Sequence, residues 1–112
     1  MQSSHAFKSI DAIEAKSRLD QGWQPFVLDV RGSTEAAVSS LEITDRLHPH
    51  TEVHHIASEL PTDREILVYC RSGGRSVYAC EVLHRLGCKG LYNLEGGING
   101  WAQHVDPTLP IY

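Results

Sequence analysis

No apolar run in this chain approaches the roughly 20 residues needed to cross a bilayer, so a membrane-spanning role is excluded and no membrane partner is expected. The N-terminal stretch MQSSHAFKSIDAIEAK has neither the basic start nor the apolar centre of a secretory leader, and the cytoplasm is the expected location. Positive charge is scarce. Ten Lys and Arg stand against 14 Asp and Glu, for a net charge of -4, with no basic stripe and no interleaving of aromatic and basic residues. A nucleic-acid partner is therefore not expected. Cysteine is limited to Cys70, Cys80 and Cys88, an odd number without a CxxC pair. That argues against a disulfide scaffold, and free thiols in a reducing compartment are expected.

Repeats, linkers and low-complexity tracts are also missing, and 112 residues make one domain, 1–112, long enough for a modest core. Asp11 with Glu14 three residues later predicts a helix start, and Ala12, Ala15 and Leu19 carry the helix to a stop at Gly22. Phe26–Val30 and Ile66–Tyr69 are almost wholly apolar, the pattern of parallel strands covered on both faces. Thr34 and Glu35 open a short helix. Residues 40–60 read as irregular, with one short strand over Val53–Ile56. Beyond Arg75, Val77, Ala79, Cys80, Leu83 and Leu86 recur at helical spacing up to Gly87. Leu91–Leu94 is a third strand, a short helix carrying Trp101 follows Gly96 and Gly97, and the tail from Val105 to Tyr112 is expected to run extended over the surface. Strands alternating with helices indicate an α/β domain with a mainly parallel sheet.

One joint stands out. ILVYCRSGGRS, residues 66–76, ends a buried strand in Cys70 and begins a helix at about Arg75. Ligands of open α/β sheets bind beyond the carboxyl ends of strands. Gly73 and Gly74 let the loop turn its N–H groups inward as an anion nest, and Arg71 and Arg75 add full charge. The same surroundings favour a thiolate at Cys70. Ser72 is placed to bond whatever the sulfur carries, whereas Ser76 is expected to cap the helix.

With these residues in view, VYCRSGGRS followed by LYNLEGGINGW resembles the active-site loop and following segment of rhodanese-like sulfurtransferases, and Leu28-Asp29-Val30-Arg31 is similar to that family's Asp-Val-Arg motif. The resemblance runs from about Ile10 to the C-terminus. It implies a five-stranded parallel sheet with helices on both faces and a catalytic Cys70. Cys70 would take the outer sulfur of a small anionic donor such as thiosulfate, release sulfite, and hold a persulfide until a thiol, cyanide or sulfur-carrier protein accepts it. It implies no cofactor. Arg71, Ser72, Gly73, Gly74, Arg75 and Ser76 would bind donor and persulfide, Asp29 and Arg31 would brace the loops, and Gly97 would be a point of close approach.

The Cys70-to-Arg75 loop spans six residues, one fewer than in related phosphatases and arsenate reductases, and a shorter nest suits a single sulfur rather than a tetrahedral oxyanion. A non-catalytic interaction module is the other alternative, though it would need no thiolate. Ser40–Asp45 lacks the proline and glycines of the family's Gly-His-Ile-Pro-Gly-Ala-like segment, and Ala36 replaces an aromatic residue, so one pocket wall is expected to differ. Val105–Tyr112 resembles the end of rhodanese domains attached to E1-like activating enzymes, which implies a sulfur-carrier acceptor. Cys80 is expected in the core and Cys88 at the surface. His48, His50, His54 and His55 match no zinc spacing, and no metal is expected, with His54 and His55 pointing apart on a strand.

Overall fold

A computed structural model describes residues 7–112; residues 1–6, part of the stretch read for a leader, lie outside the described residues. The strands are β1 (Lys8–Asp11), β2 (Phe26–Asp29), β3 (Arg46–Leu47), β4 (Ile66–Tyr69) and β5 (Leu91–Glu95), interspersed with helices α1 (Ala12–Asp20), α2 (Ser33–Val38), α3 (Gly74–Arg85) and α4 (Gly97–His104). The sheet order is β1-β5-β4-β2-β3, and every pairing is parallel.

Successive side chains on a strand point to opposite faces, and this alternation sorts the core into two layers. Leu28, Val30, Ile66, Val68 and Cys70 face one side, where Ala79, Cys80 and Leu83 of α3 cover them together with Val53, Ile56 and Leu60. Val27, Leu67, Tyr69, Tyr92 and Leu94 face the other, beneath Ala12 and Ala15 of α1 and Ile98 and Trp101 of α4. β4 is the middle strand and all four of its residues are buried. Cys70 continues the 66-68-70 series, so its side chain emerges on the α3 side.

Local signals explain the element ends. Asp11 Oδ1 accepts the Glu14 N–H at 2.8 Å, which caps α1. Gly73, with φ +118°, leads into α3, and Gly87 at φ +97° follows its last turn. Three sequence expectations are corrected. Val53–Ile56 is not a strand: His50–His55 forms a 3₁₀ helix, with Val53 turned into the core, and the short strand of this region is β3. β1 was not anticipated, because KSID is polar apart from Ile10, the one residue it buries. The tail does not simply lie extended. It turns at Asp106–Leu109, and Val105, Leu109 and Tyr112 pack against the α1/α4 side of the core.

Candidate active site

Cys70 leaves the carboxyl end of β4 at 1% exposure, and the chain then turns back over its sulfur. The Gly73 N–H donates to Sγ at 3.1 Å, and the Ser76 hydroxyl lies 3.4 Å away. The backbone N–H groups of Ser76 and Ser72 also face the sulfur. Burial by itself pushes the thiol pKa up. The Ser76 hydroxyl and N–H, then the Gly73 and Ser72 N–H groups, more than reverse this, and the net position is below that of an ordinary thiol. The other two cysteines differ. Burial pushes Cys80 up to about 12 and also raises Cys88, which is half-buried with its thiol 3.7 Å from the Ala57 carbonyl. Cys70 is thus the one thiol of the three primed to ionise.

The inward turn of the amides depends on where the loop carbonyls go. The first N–H groups of α4 take them: Ile98 N–H donates to Cys70 O at 2.9 Å and Asn99 N–H to Arg71 O at 3.0 Å. Such close docking leaves no room at Gly97, whose φ is +59° and where a Cβ would stand 2.5 Å from the Cys70 and Arg71 carbonyl oxygens. Gly73 also has positive φ, while Gly74 opens α3.

Ser76 does not cap α3 through a backbone N–H, as the sequence suggested. Being at the helix's third residue, fully buried, its hydroxyl instead reaches the Gly73 carbonyl at 3.1 Å, the Asn93 side-chain carbonyl on β5, and the Cys70 sulfur. Asn93 escaped sequence reading because nothing in LYNLE marks an inward-facing amide.

The arginines are placed less directly than the motif suggests. Neither Arg71 nor Arg75 hydrogen-bonds the sulfur. Arg75 is clamped by both carboxylate oxygens of Glu35, at 2.6 and 2.7 Å, although its charge still interacts with Cys70. Arg75 pulls the Glu35 pKa down to about 2, against burial and with help from the Gly32 N–H and the Tyr112 hydroxyl. Arg71 is exposed, its guanidinium 5.1 Å from the centre of the Tyr112 ring. Ser72 is exposed as well.

Asp29 and Arg31 are buried completely. Arg31 donates from Nε and Nη2 to the Asp29 carboxylate at 3.0 and 2.8 Å, from Nη2 to the Ser39 carbonyl, and from Nη1 to the Tyr112 hydroxyl at 2.7 Å. Burial opposes its charge, yet Asp29 and Tyr112 outweigh that and hold Arg31 protonated. Tyr112 in turn donates to Glu35 Oε2 at 3.0 Å. One tyrosine thereby joins Arg31, Arg71 and the Glu35–Arg75 pair.

A hollow of about 500 Å³ beside the loop is lined by His50, Thr51, Gly74, Arg75 and Tyr78. The unusual segment Ser40–Ile43 does not border it. Those residues line a separate hollow of about 640 Å³ with Leu19, Trp101 and Leu109. His54 and His55 do not point apart; their rings sit 4.0 Å from one another on the 3₁₀ helix. His48, Glu52 and His55 each bring one potential ligand atom within 4.8 Å of the others, with Glu52 and His55 exposed.

A cysteine over a short nest of amides, at the end of the middle strand of this sheet, can be compared with known proteins. The family model for the rhodanese-like domain matches residues 11–104. The chain belongs to the rhodanese-like family. A protein of Allochromatium vinosum named sulfurtransferase is 36% identical over 100 residues, which cover 89% of this chain and 92% of that protein. The adenylyltransferase and sulfurtransferase uba4 of Ogataea parapolymorpha is 27% identical over 88 residues, 79% of this chain. The chain spans only 23% of that larger protein's length. Among solved structures, a rhodanese-related protein from Thermoplasma volcanium superposes with a TM-score of 0.77 at 28% identity, covering 95% of this chain and 98% of that one. The five-stranded, all-parallel sheet with helices on both faces agrees with that likeness. No helix among the described residues is long and apolar enough to cross a membrane.

Proposed function

We propose that this rhodanese-like protein is a sulfurtransferase that works through a persulfide on Cys70. The observation that carries the reading is the sulfur's environment: a buried thiol whose pKa is nevertheless lowered, because the Ser76 hydroxyl and three backbone N–H groups point at it. Such a nest stabilises negative charge on the thiolate first and on the persulfide afterwards. In the first half-reaction the thiolate attacks the sulfane sulfur of a small donor, thiosulfate being the simplest. The S–S bond of the donor breaks, its electron pair leaves on sulfite, and Cys70 keeps the transferred atom. In the second half-reaction a nucleophilic acceptor attacks that atom and returns the thiolate. The name of the Allochromatium relative supports the activity, and the names of the adenylyltransferase–sulfurtransferases support a sulfur-carrier protein as acceptor.

Gly73, Gly74 and the amides of Ser72 and Ser76 form the binding shell of the persulfide, Arg71 and, more weakly because Glu35 clamps it, Arg75 attract the anionic donor, and Asp29 with Arg31 brace the loop. The six-residue loop favours this over a phosphatase, since its amides converge on one atom. Intact-mass measurement tests the reading. After incubation with thiosulfate or another sulfane donor the protein should gain about 32 Da, lose it to a thiol reductant, and show no gain as Cys70→Ala. Absence of any gain with every sulfane donor would leave a binding module or a phosphatase.

A further inference from the structure

Three guanidiniums surround the Cys70 loop, and they differ in how far their charge is already spent. Arg31 is buried against Asp29. Arg75 is held on both oxygens of Glu35, which is itself fixed by the Gly32 N–H at 3.3 Å and the Tyr112 hydroxyl at 3.0 Å. Arg71 is exposed and, among the described residues, has no carboxylate within salt-bridge distance. Its guanidinium rests on the Tyr112 ring.

An incoming donor therefore meets the exposed Arg71, the partly buried Arg75–Glu35 pair and the Cys70 thiolate it must approach, while Arg31 and Asp29 stay buried as a pair. These fixed charges nearly cancel. In so neutral a field the second charge of a dianion gains nothing, whereas an unpaired Arg75 would attract a dianion twice as strongly as a monoanion, because Coulomb energy is linear in charge. A site built to draw in dianions would leave Arg75 unpaired. Here Glu35 clamps it in a two-pronged contact, with both side chains partly buried.

We propose that Glu35 is a specificity-determining residue: by neutralising Arg75 it tunes the site to singly charged sulfane-sulfur donors, of the thiosulfonate or persulfide class, at the expense of dianionic thiosulfate. This rests on the sulfurtransferase reading above. With a thiosulfonate the step balances without any external oxidant. The Cys70 thiolate forms a bond to the sulfane sulfur, the donor's S–S bond breaks with its electron pair leaving on a sulfinate, and two negative charges stand on each side.

The methanethiosulfonate anion and thiosulfate are matched probes, alike in their sulfane sulfur and differing by one charge. kcat/KM for each, measured on the whole chain with a fixed thiol acceptor, gives a preference ratio. Glu35→Gln frees Arg75 and should move that ratio toward thiosulfate by about three- to tenfold at low ionic strength, an effect that shrinks as salt is added. Glu35→Asp, which keeps the charge, should move it less. A ratio that stays put, or moves toward methanethiosulfonate, in Glu35→Gln overturns the proposal. Should that variant not fold, the wild-type protein decides. Its kcat/KM for thiosulfate should be flat or rise with added salt, whereas a steep fall would reveal an attractive, unneutralised site. Failure of both donors to load Cys70 is a different result, which removes the sulfurtransferase reading and this inference with it.

Discussion

The Ser76 hydroxyl has one hydrogen and three neighbours able to accept it: the Gly73 carbonyl, the Asn93 side-chain carbonyl and the Cys70 sulfur. Its contribution to thiolate stability depends on how that single proton is shared. A hydrogen bond to a charged group is worth about 1.5–3 kcal/mol, and the low-dielectric setting makes the sulfur the acceptor that gains most when it ionises. Ser76→Ala removes the hydroxyl while leaving the residue's N–H in place. The pH profile of Cys70 alkylation by iodoacetamide should then shift to higher pH, with a slower reaction at neutral pH. An unshifted profile would assign the lowered thiol pKa to the backbone amides alone. Cys80, pushed up to about 12 by burial, serves as the unreactive reference within the same molecule.

At the scale of elements, the site is an agreement between two helix starts. The turn into α3, Ser72 to Ser76, supplies the amides that face the sulfur, and α4 takes the loop's carbonyls so that those amides are free to face it. Gly97 is where the two meet, and both its positive φ and the 2.5 Å approach to Cys70 and Arg71 exclude a side chain. Gly97→Ala should cost at least about 2 kcal/mol, since left-handed strain alone amounts to roughly 1–2 kcal/mol and backbone must also shift. Urea unfolding measures it. A midpoint unchanged from wild type would mean that α4 docks less tightly than these contacts indicate. Much of this scale was legible beforehand. β2, β4, β5 and α3 follow from apolar runs and helical spacing, and Gly97 from the resemblance of its loop to the family's. Elements whose stability comes from neighbours were not. β1 buries only Ile10 and exists because β5 offers it a ladder, while Val53 fills the core from a 3₁₀ helix that has no period of its own in the sequence. Among site residues, Asn93, Glu35 as the partner of Arg75, and Tyr112 were hidden for one reason: each acts across more than 15 positions, at separations of 17, 40 and 77–81.

The whole molecule is tied together at the site by charge, and that tie depends on pH. Tyr112 links the buried Asp29–Arg31 pair to Glu35, so the tail, the β2–α2 connection and the start of α3 share one network. Glu35 is its titrating member. Folded, its pKa lies near 2, principally through Arg75, against the usual 4.5. A carboxylate lowered by folding stabilises the native state above its unfolded pKa, because the unfolded chain then binds the proton more readily, and that contribution disappears as pH falls through the folded value. The window is therefore from about 4.5 down to about 2. At 24% side-chain exposure Glu35 is partly screened by water, which reduces the effect without changing its sign. Urea midpoints of the wild type should fall between pH 5 and pH 3 more steeply than those of Glu35→Gln, which has no proton to take up. The two curves should approach one another toward pH 2, where Glu35 of the folded protein is about half protonated and most of its contribution is lost. Parallel curves across that interval would mean that the Glu35–Arg75 clamp adds nothing to folding, and that its geometry serves the mouth of the site alone.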